Sequence, residues 1–369
     1  MKSLEYLLSQ PINGINAPLP RSQHAISPMT NLFEKMLTEK SVLLADGATG
    51  TTFFGMGLQS GDAPELWNVD YPERVEKHYQ AFIDAGSDLI LTNSFGGTRY
   101  RLMLHQAQDR VAELNEAAAR ILRETIDKNG RDVVVAGSIG PTGEILAPLG
   151  DLEADDAIAA FAEQALALER GGADVIWIET MSSQEEVEYA VAGARQTGLP
   201  IVFTMSFDTN GRTMMGVGAA DMMSLHERLG VHACGTNCGI GASEVVAAII
   251  NFAANKADGS EPVLVAKANC GIPEFIDGEI HYNGTPEIMA RYAVMARDAG
   301  ARIVGGCCGT SPEHVAAMRK ALDEAPPGPA PSLEDVEREL GAVSSGAQAQ
   351  AGGEHVVKTR GSSRRRRRR

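Results

Sequence analysis

Eight short apolar runs, separated by segments with helical periodicity, follow one another from Ser41 onward. The runs are continuously apolar, which is typical of strands buried on both faces of a parallel sheet. Eight strand–helix units over about 285 residues predict a single (β/α)8 barrel, and the alternative is an open doubly wound sheet. Similar glycine-containing segments precede several runs, and this regularity favours the barrel. The runs are residues 42–45, 88–91, 133–136, 175–178, 201–204, 233–237, 263–266 and 302–304.

The segments between the runs carry the start and stop signals of helices. Residues 72–85 begin with a proline and acidic residues and end before Gly86, as is usual for a helix. The same reasoning predicts helices over residues 31–40, 110–128, 155–170, 183–196, 219–228, 243–256, 285–299 and 311–324.

Both ends of the chain differ in composition from the predicted barrel, which occupies residues 31–324. Residues 1–30 are rich in Pro, Asn and Ser and are expected to form a disordered leader, with Met29 as an alternative start of translation. Residues 325–369 open with a Pro-rich linker and end in six arginines. We expect them to form a disordered tail with one short helix from Ser332 to Leu340.

The chain is acidic, with a net charge of −15, although its last twelve residues hold eight positive charges. An acidic body does not suit nucleic acid.

No apolar run reaches transmembrane length, which predicts no membrane association, and the N-terminal segment lacks the features of a secretory signal. The five cysteines are then expected in a reduced, cytoplasmic compartment, where they serve a metal or chemistry rather than disulfides. The sequence leaves a homo-oligomer open.

Three cysteines follow strand-like runs and precede helices. Cys307 and Cys308 lie between glycines after the eighth run, and Cys238 precedes Gly239 after the sixth. Adjacent side chains of a strand point to opposite faces, but flanking glycines allow both sulfur atoms to turn toward one point. Three thiolates that converge in this way suit zinc with its fourth position open. The alternative is that these are buried free cysteines, which are common.

Two carboxylates also fall at strand ends, where the functional groups of a barrel gather. Asp46 follows the first run and Glu179 the fourth, so both should be partly buried. Together they would receive an ammonium group. The backbone N–H groups of the loop that begins at Gly47 suit a carboxylate, so the rim would hold an amino acid by both ends. The alternative is a helix-capping aspartate and a structural ion pair.

Six motifs, in order over residues 41–322, resemble the homocysteine S-methyltransferases: residues 46–51, 91–98, 140–144, 179–180, 237–239 and 305–310. That family includes betaine–homocysteine methyltransferase and the homocysteine-binding module of cobalamin-dependent methionine synthase. The resemblance implies a (β/α)8 barrel whose catalytic zinc ion is held by Cys238, Cys307 and Cys308. The thiolate of homocysteine would be the fourth ligand.

The resemblance also implies how the rest of the substrate is held. Asp46, Gly47 and Glu179 match positions that bind the amino-acid end of homocysteine. Asn269 matches a family asparagine near the metal, which would occupy the open site when substrate is absent. A transfer of methyl to sulfur needs no proton shuttle in the step itself, which agrees with the lack of an obvious base.

Two methyl donors are compatible with the resemblance. Betaine carries a quaternary ammonium, which an aromatic cage holds best, but Gly96 stands where animal betaine enzymes have an aromatic residue. This departure brings the chain closer to the methionine synthase module, although it has no room for folate or cobalamin domains. Trp67 and Phe95 are possible cage members, with core packing as the alternative, and the roles of Lys267 and Cys270 stay open.

Three hypotheses follow. The first is a zinc-dependent enzyme that makes methionine from homocysteine with betaine or a similar onium compound. The second is the homocysteine module of a split methionine synthase, fed by a methylcorrinoid on a separate protein. The third is a zinc-binding or thiol-sensing barrel without catalysis.

Overall fold

The structure is a computed structural model that describes residues 31–208, 210–276 and 279–352. Among the described residues, eight strands form one parallel sheet and two further strands form a separate antiparallel pair. The strands are β1 (Leu43–Leu44), β2 (Leu89–Leu91), β3 (Val134–Ile139), β4 (Val175–Met181), β5 (Ile201–Met205), β6 (Ala233–Cys238), β7 (Val263–Ala268), β8 (Pro273–Ile276), β9 (Glu279–Tyr282) and β10 (Ala301–Gly306).

The eight-stranded sheet closes on itself. Neighbouring strands follow the order β1-β10-β7-β6-β5-β4-β3-β2, and a parallel bridge between Ala45 and Leu89 joins the two ends. Hydrogen bonds from Asp88 N to Leu44 O (2.7 Å) and from Asp46 N to Leu89 O (3.0 Å) belong to the same seam. The predicted (β/α)8 barrel is confirmed, and the open doubly wound sheet is wrong.

Helices connect successive strands around the outside of the barrel, and the predicted helices are confirmed apart from small shifts at their ends. Within the described ranges, no helix is both long and apolar enough to cross a bilayer. The helices are α1 (Leu32–Glu39), α2 (Gly50–Gly55), α3 (Trp67–Asp70), α4 (Pro72–Asp84), α5 (Arg99–Met103), α6 (Val111–Asn129), α7 (Ala154–Arg170), α8 (Gln184–Ala194), α9 (Ala219–Leu229), α10 (Ala242–Ala254), α11 (Pro286–Asp298), α12 (Pro312–Glu324), α13 (Leu333–Leu340) and α14 (Ser345–Ala351).

The strands are buried on both faces, which explains their continuously apolar sequences. Trp177 and Ile303 are fully buried in the cluster that fills the barrel interior, while Ile176 and Val304 pack outward against the helices. Burial of one such side chain stabilises the fold by about 1.5–3 kcal/mol. The interior cluster also includes Phe33 of α1, so this helix closes the amino-terminal end of the barrel and leaves the carboxyl-terminal end for function.

The sequence did not predict the short helices α2, α3 and α5, nor one hairpin. Strands β8 and β9 form an antiparallel hairpin between β7 and α11. The hairpin lies outside the eight-strand repeat and follows directly after the strand end that carries Asn269 and Cys270.

In the tail, residues 345–351 form a helix where the sequence predicted disorder. The predicted short helix is confirmed as α13, and α14 follows it. Both pack on α10: Asn251 Nδ2 donates to Ala347 O (3.1 Å), and Ser243 Oγ donates to Ala342 O (2.9 Å). Val336 and Ala347 are buried there. Small side chains dock closely without a long apolar run, so composition alone did not reveal this contact. The expected leader (residues 1–30) and residues 353–369 lie outside the described residues.

Candidate metal and substrate site

Three cysteine sulfur atoms converge at the carboxyl-terminal end of the barrel. The Sγ atoms of Cys238, Cys307 and Cys308 all lie within 4.8 Å of one another, and those of Cys238 and Cys308 are 4.0 Å apart. Three soft sulfur donors grouped around one point, on the wall of a cavity, fit a zinc ion that keeps its fourth position open for a ligand. The grouping agrees with the predicted ligand set.

Two tight turns bring the sulfur atoms together. Cys238 has φ 63°, in the left-handed region that residues with a side chain rarely adopt, and Gly239 continues the turn with φ 73°. After β10, Cys307 N still donates to Ala268 O of β7 (2.7 Å), and Thr310 N donates back to Cys307 O (3.1 Å). The ladder becomes irregular here, since Cys308 O, rather than Cys307 O, accepts from Cys270 N (2.9 Å), and this irregularity takes the two adjacent side chains out of the strand alternation.

Asn269, at the end of β7, links the two cysteine loops. Its Oδ1 accepts from Cys308 N (3.0 Å) and its Nδ2 donates to Gly239 O (2.6 Å). The structure thus places Asn269 beside the cysteines, as the resemblance implies. Both ends of its amide are engaged with backbone groups, so in this state it fixes the ligand loops in position.

Gly47 is required by a close backbone approach. A Cβ atom at this position would lie 2.3 Å from Thr310 O and 3.0 Å from a ring carbon of Phe82. Ala48 N donates to the same carbonyl of Thr310 (2.9 Å). The loop after β1 therefore packs directly on the loop that carries Cys307, and only glycine allows this contact.

Asp46 lies behind the cavity wall and is fully buried. Its Oδ1 accepts from Lys267 Nζ (2.5 Å) and its Oδ2 accepts from Leu91 N (2.9 Å). Burial by itself would lower the pKa of Lys267, but the carboxylates of Asp46 and Glu179 outweigh it and raise that pKa, so the lysine is charged. Burial raises the pKa of Asp46, and Lys267 and the Leu91 N–H act in the opposite direction.

Glu179 is also buried and completes this charge cluster. Ser138 Oγ donates to its Oε1 (2.5 Å), while Asn237 Nδ2 lies 3.5 Å from its Oε2. Burial raises the pKa of Glu179 to about 7, although Lys267 and the Ser138 hydroxyl act in the opposite direction. Two carboxylates therefore share one buried ammonium, which leaves negative charge for a cationic ligand.

Asn237 connects the charge cluster with the cysteines. Its Oδ1 accepts from Thr180 N (2.9 Å) and from Thr204 Oγ1 (2.7 Å), and its Nδ2 donates to Thr180 Oγ1 (2.7 Å). Thr180 has φ 64°, a conformation that is strained for a β-branched residue. The Asn237 amide thus holds Thr180 in place at the rim, between Glu179 and Cys238.

The cysteines and the charge cluster face one cavity of about 270 Å³. Its wall includes the predicted Gly47, Glu179 and all three cysteines, and also Lys267, whose role the sequence left open. Asn269 and Asp46 lie behind this wall, each in contact with a residue that lines it. Glu65 lines it too and was not predicted, because no periodicity or motif marks it. Ser138 and Thr180 also line it, at the ends of β3 and β4, although the sequence assigned them no role.

The remaining candidates separate into cavity and core. Phe95 lines the cavity and is 37% exposed, as a cage member would be. Trp67 is buried and stacks on Phe53 with ring centroids 5.0 Å apart, so it belongs to the core. Cys270 donates to Gly284 O (3.1 Å) and lies outside the three-cysteine cluster. It is therefore a buried structural thiol, and burial raises its pKa to about 11.

The family model described as homocysteine S-methyltransferase matches residues 43–322, nearly the whole barrel. The chain belongs to this family. The resemblance based on the six motifs is therefore confirmed, and the protein is a member of a methyltransferase family.

Curated relatives include methionine synthases. The protein of Mycobacterium tuberculosis (strain ATCC 25618 / H37Rv) is 29% identical over 297 residues, which are 76% of this chain and 24% of that protein. The protein of Mycobacterium leprae (strain TN) is 29% identical over 318 residues, which are 82% and 26%. The chain thus spans about a quarter of the length of the curated relatives it matches.

A solved structure supports the fold. The metallated form of the homocysteine methyltransferase MmuM from Escherichia coli superposes with a TM-score of 0.65 at 24% identity. The match covers 79% of this chain and 99% of that one. At this identity the similarity concerns the barrel architecture.

Proposed function

We propose that this protein is a zinc-dependent homocysteine S-methyltransferase that forms methionine, with glycine betaine or a similar onium compound as methyl donor. The observation that carries the proposal is a single cavity lined by three converging cysteines and by Glu179 and Lys267. A sulfur-rich metal site and an amino-acid-binding charge cluster on one wall suit a substrate that carries both a thiol and an α-amino acid group.

Cys238, Cys307 and Cys308 would hold the zinc ion. When bound, zinc supplies Lewis acidity that lowers the pKa of a thiol and provides a thiolate nucleophile at neutral pH. The rest of the chain fixes the geometry: Asn269 ties together the loops that carry Cys238 and Cys308, and Gly47 lets the loop after β1 pack on the same turn.

The charge cluster would bind the amino-acid end of homocysteine. The ammonium of the substrate would be received by Glu179 and Asp46, whose two carboxylates face the single ammonium of Lys267. Its carboxylate would approach Lys267 and the backbone N–H groups of the loop that begins at Gly47. Transfer of a methyl group to a thiolate requires no general base. The carboxylates of the site are therefore free to bind the ammonium of the substrate.

The methyl donor distinguishes the proposal from its main alternative. The methionine synthase names of the relatives favour a methylcorrinoid delivered by a separate protein. The third hypothesis, a thiol-sensing barrel, does not explain why a buried amino-acid-binding cluster lines the cysteine cavity. We also place the protein in the cytoplasm, where free thiols persist, and its self-association is open to direct measurement.

Methionine formation tests the proposal. Purified zinc-loaded protein is mixed with homocysteine and either glycine betaine or methylcobalamin, and amino acids are quantified by chromatography. We expect methionine and dimethylglycine in equal amounts with betaine, and none after the metal is removed with a chelator. Turnover with methylcobalamin alone would instead identify the homocysteine module of a split methionine synthase. Stoichiometric zinc without turnover by any donor would favour the thiol-sensing barrel.

A further inference from the structure

Glu65 is a buried carboxylate on the wall of the cysteine cavity that the methyl-transfer chemistry described above does not use. It lies on the short 3-10 turn Pro64–Leu66 and is only 4% exposed. Its Oε1 accepts a hydrogen bond from Gly96 N (2.6 Å). This contact fixes the carboxylate at the rim, in the loop between β1 and β2.

The position of Glu65 depends on the absence of a side chain at residue 96. A Cβ atom on Gly96 would lie 2.9 Å from Glu65 Oε1 and 3.3 Å from its Cδ. Any larger residue would therefore displace the carboxylate. The sequence departure at Gly96, which removes a possible aromatic cage member, thus makes room for an anion on the cavity wall.

Glu65 differs from the buried carboxylate of Asp46 in its charge partners. Asp46 has the ammonium of Lys267 at 2.5 Å, whereas no ion pair involves Glu65 among the described residues. Arg101 and His105 act on it only through space. Burial raises the pKa of Glu65, the usual effect of a low-dielectric surrounding on an acid. A cation that enters the cavity would supply the missing partner.

We propose that Glu65 binds the positively charged head of the methyl donor, so that this chain is built for a quaternary ammonium or sulfonium compound. Phe95, which lines the same cavity, offers an apolar face to the methyl groups of such a head. The proposal rests on the function proposed above and names the residue that selects the donor class.

The chemistry predicts which kinetic constant Glu65 affects. The thiolate sulfur of homocysteine attacks a methyl carbon of the donor, and a new S–C bond forms. The C–N or C–S bond of the onium group breaks, and its electron pair stays on the leaving atom as a neutral amine or thioether. The positive charge therefore fades on the way to the transition state. Because Glu65 attracts the donor more strongly than the transition state, it should lower the KM of the donor without raising kcat, and its removal should leave kcat the same or higher.

The experiment compares E65Q with E186Q in the zinc-loaded enzyme. Glutamine keeps an oxygen for Gly96 N and removes the charge. Glu186 is a matched control, because it is also buried and accepts from a loop N–H group (Thr142 N, 2.9 Å), but it does not line the cavity.

We expect E65Q to raise the KM for glycine betaine about tenfold or more, since a desolvated ion pair is lost. The kcat should stay the same or rise, because the bound donor loses more attraction than the transition state does. The KM for homocysteine and the zinc content should stay near the wild-type values, and E186Q should change none of these quantities.

A binding measurement isolates the charge. The carbon isostere of glycine betaine, 3,3-dimethylbutanoate, has the same shape without the positive charge. Wild-type protein loaded with zinc but not with homocysteine, so that no methyl transfer occurs, should bind betaine more tightly than this isostere, and E65Q should lose the preference. An unchanged preference, or equal losses of homocysteine and betaine affinity in E65Q, would show that Glu65 is structural while methyl transfer from betaine stands. If the wild-type protein uses no onium donor, the donor proposed above and this inference both fall.

Discussion

Two buried aspartates at opposite ends of the barrel have nearly the same local contacts. Asp46 follows β1 at the carboxyl-terminal end, accepts from Leu91 N (2.9 Å) and pairs with Lys267 at 2.5 Å. Asp88 precedes β2 at the amino-terminal end, accepts from Leu44 N (2.9 Å) and pairs with Lys40 at 2.5 Å. Both are at most 1% exposed. Residue type, burial and a lysine partner therefore do not distinguish a binding site from a structural ion pair.

The surroundings of the two pairs do distinguish them. The side chain of Lys40 is 44% exposed, and Asp88 has a second cation, Arg319, at 3.2 Å. Arg319 also pairs with the exposed Asp323, so the charges there balance, and both cations reach water. Lys267 is 2% exposed and faces a second buried carboxylate, that of Glu179. A surplus of buried charge of one sign, next to a cavity, is the property that indicates a ligand site.

The largest effect should come from the cysteines, which define the functional end. We expect Cys307→Ala to lose stoichiometric zinc and to reduce methyl transfer by about a thousandfold or more, because only two of the three sulfur ligands remain. Zinc is measured by elemental analysis of the purified protein. Cys234→Ala is the control, since Cys234 is a buried core thiol of the same strand as Cys238 but lies outside the cluster. Full zinc content in the Cys307 variant would refute the ligand set.

Removal of each lysine tests the two aspartate pairs directly. Lys267→Met leaves Asp46 and Glu179 without their shared cation and should lower the free energy of unfolding by about 3–5 kcal/mol at neutral pH. Lys40→Met should cost at most about 1 kcal/mol, because Lys40 is half in water and Arg319 still neutralises Asp88. Urea unfolding followed by circular dichroism measures both. Equal losses of unfolding free energy in the two variants would show that the two aspartate–lysine pairs do not differ in the way proposed.

The titration of Glu179 should appear in substrate binding. Because burial raises its pKa to about 7, Glu179 is largely protonated at pH 6 and ionised at pH 8. An ammonium ligand needs the ionised form, so its affinity should rise about tenfold between these values. Calorimetric titration with methionine avoids the thiol proton of homocysteine. Glu179→Gln should bind methionine weakly, with little pH dependence, while Asp46 and Lys267 remain. If the affinity of the Glu179→Gln variant for methionine still rose with pH as in the wild type, the titrating group would be a residue other than Glu179.

The rim of the barrel was predictable because local signals specify it. Apolar runs locate the strands, and in a barrel every strand end that carries a polar residue reaches the same rim. Asp46, Glu179, Cys238 and Cys307 were found in this way, and the family motifs, rather than spacing alone, gave them roles. Their mutual distances follow from the closure of the sheet.

Contacts between distant segments were not predictable in the same way. Lys267 pairs with Asp46 across 221 residues of sequence, and a lysine at the end of an apolar run reads equally well as an exposed residue. The role of Glu65 depends on Gly96, since it arises from a gap where a side chain is absent. Pairings of this kind depend on three-dimensional packing, which one sequence does not specify.

The smallest predicted effect concerns α14, the helix in the carboxyl-terminal segment for which the composition predicted disorder. Gln350 of α14 crosses to the barrel: its Oε1 accepts from Ala219 N (3.0 Å), an otherwise unpaired donor of the first turn of α9, and its Nε2 donates to Gly211 O (2.6 Å). Gln350→Ala should lower the free energy of unfolding by about 1 kcal/mol and leave methyl transfer unchanged. The control is Gln348→Ala, because Gln348 is exposed and bonds only to Glu337 and Val343 within the tail. A larger loss in the control than in Gln350→Ala would mean that the tail is held by its own internal contacts, and that its hydrogen bonds to the barrel contribute little to stability.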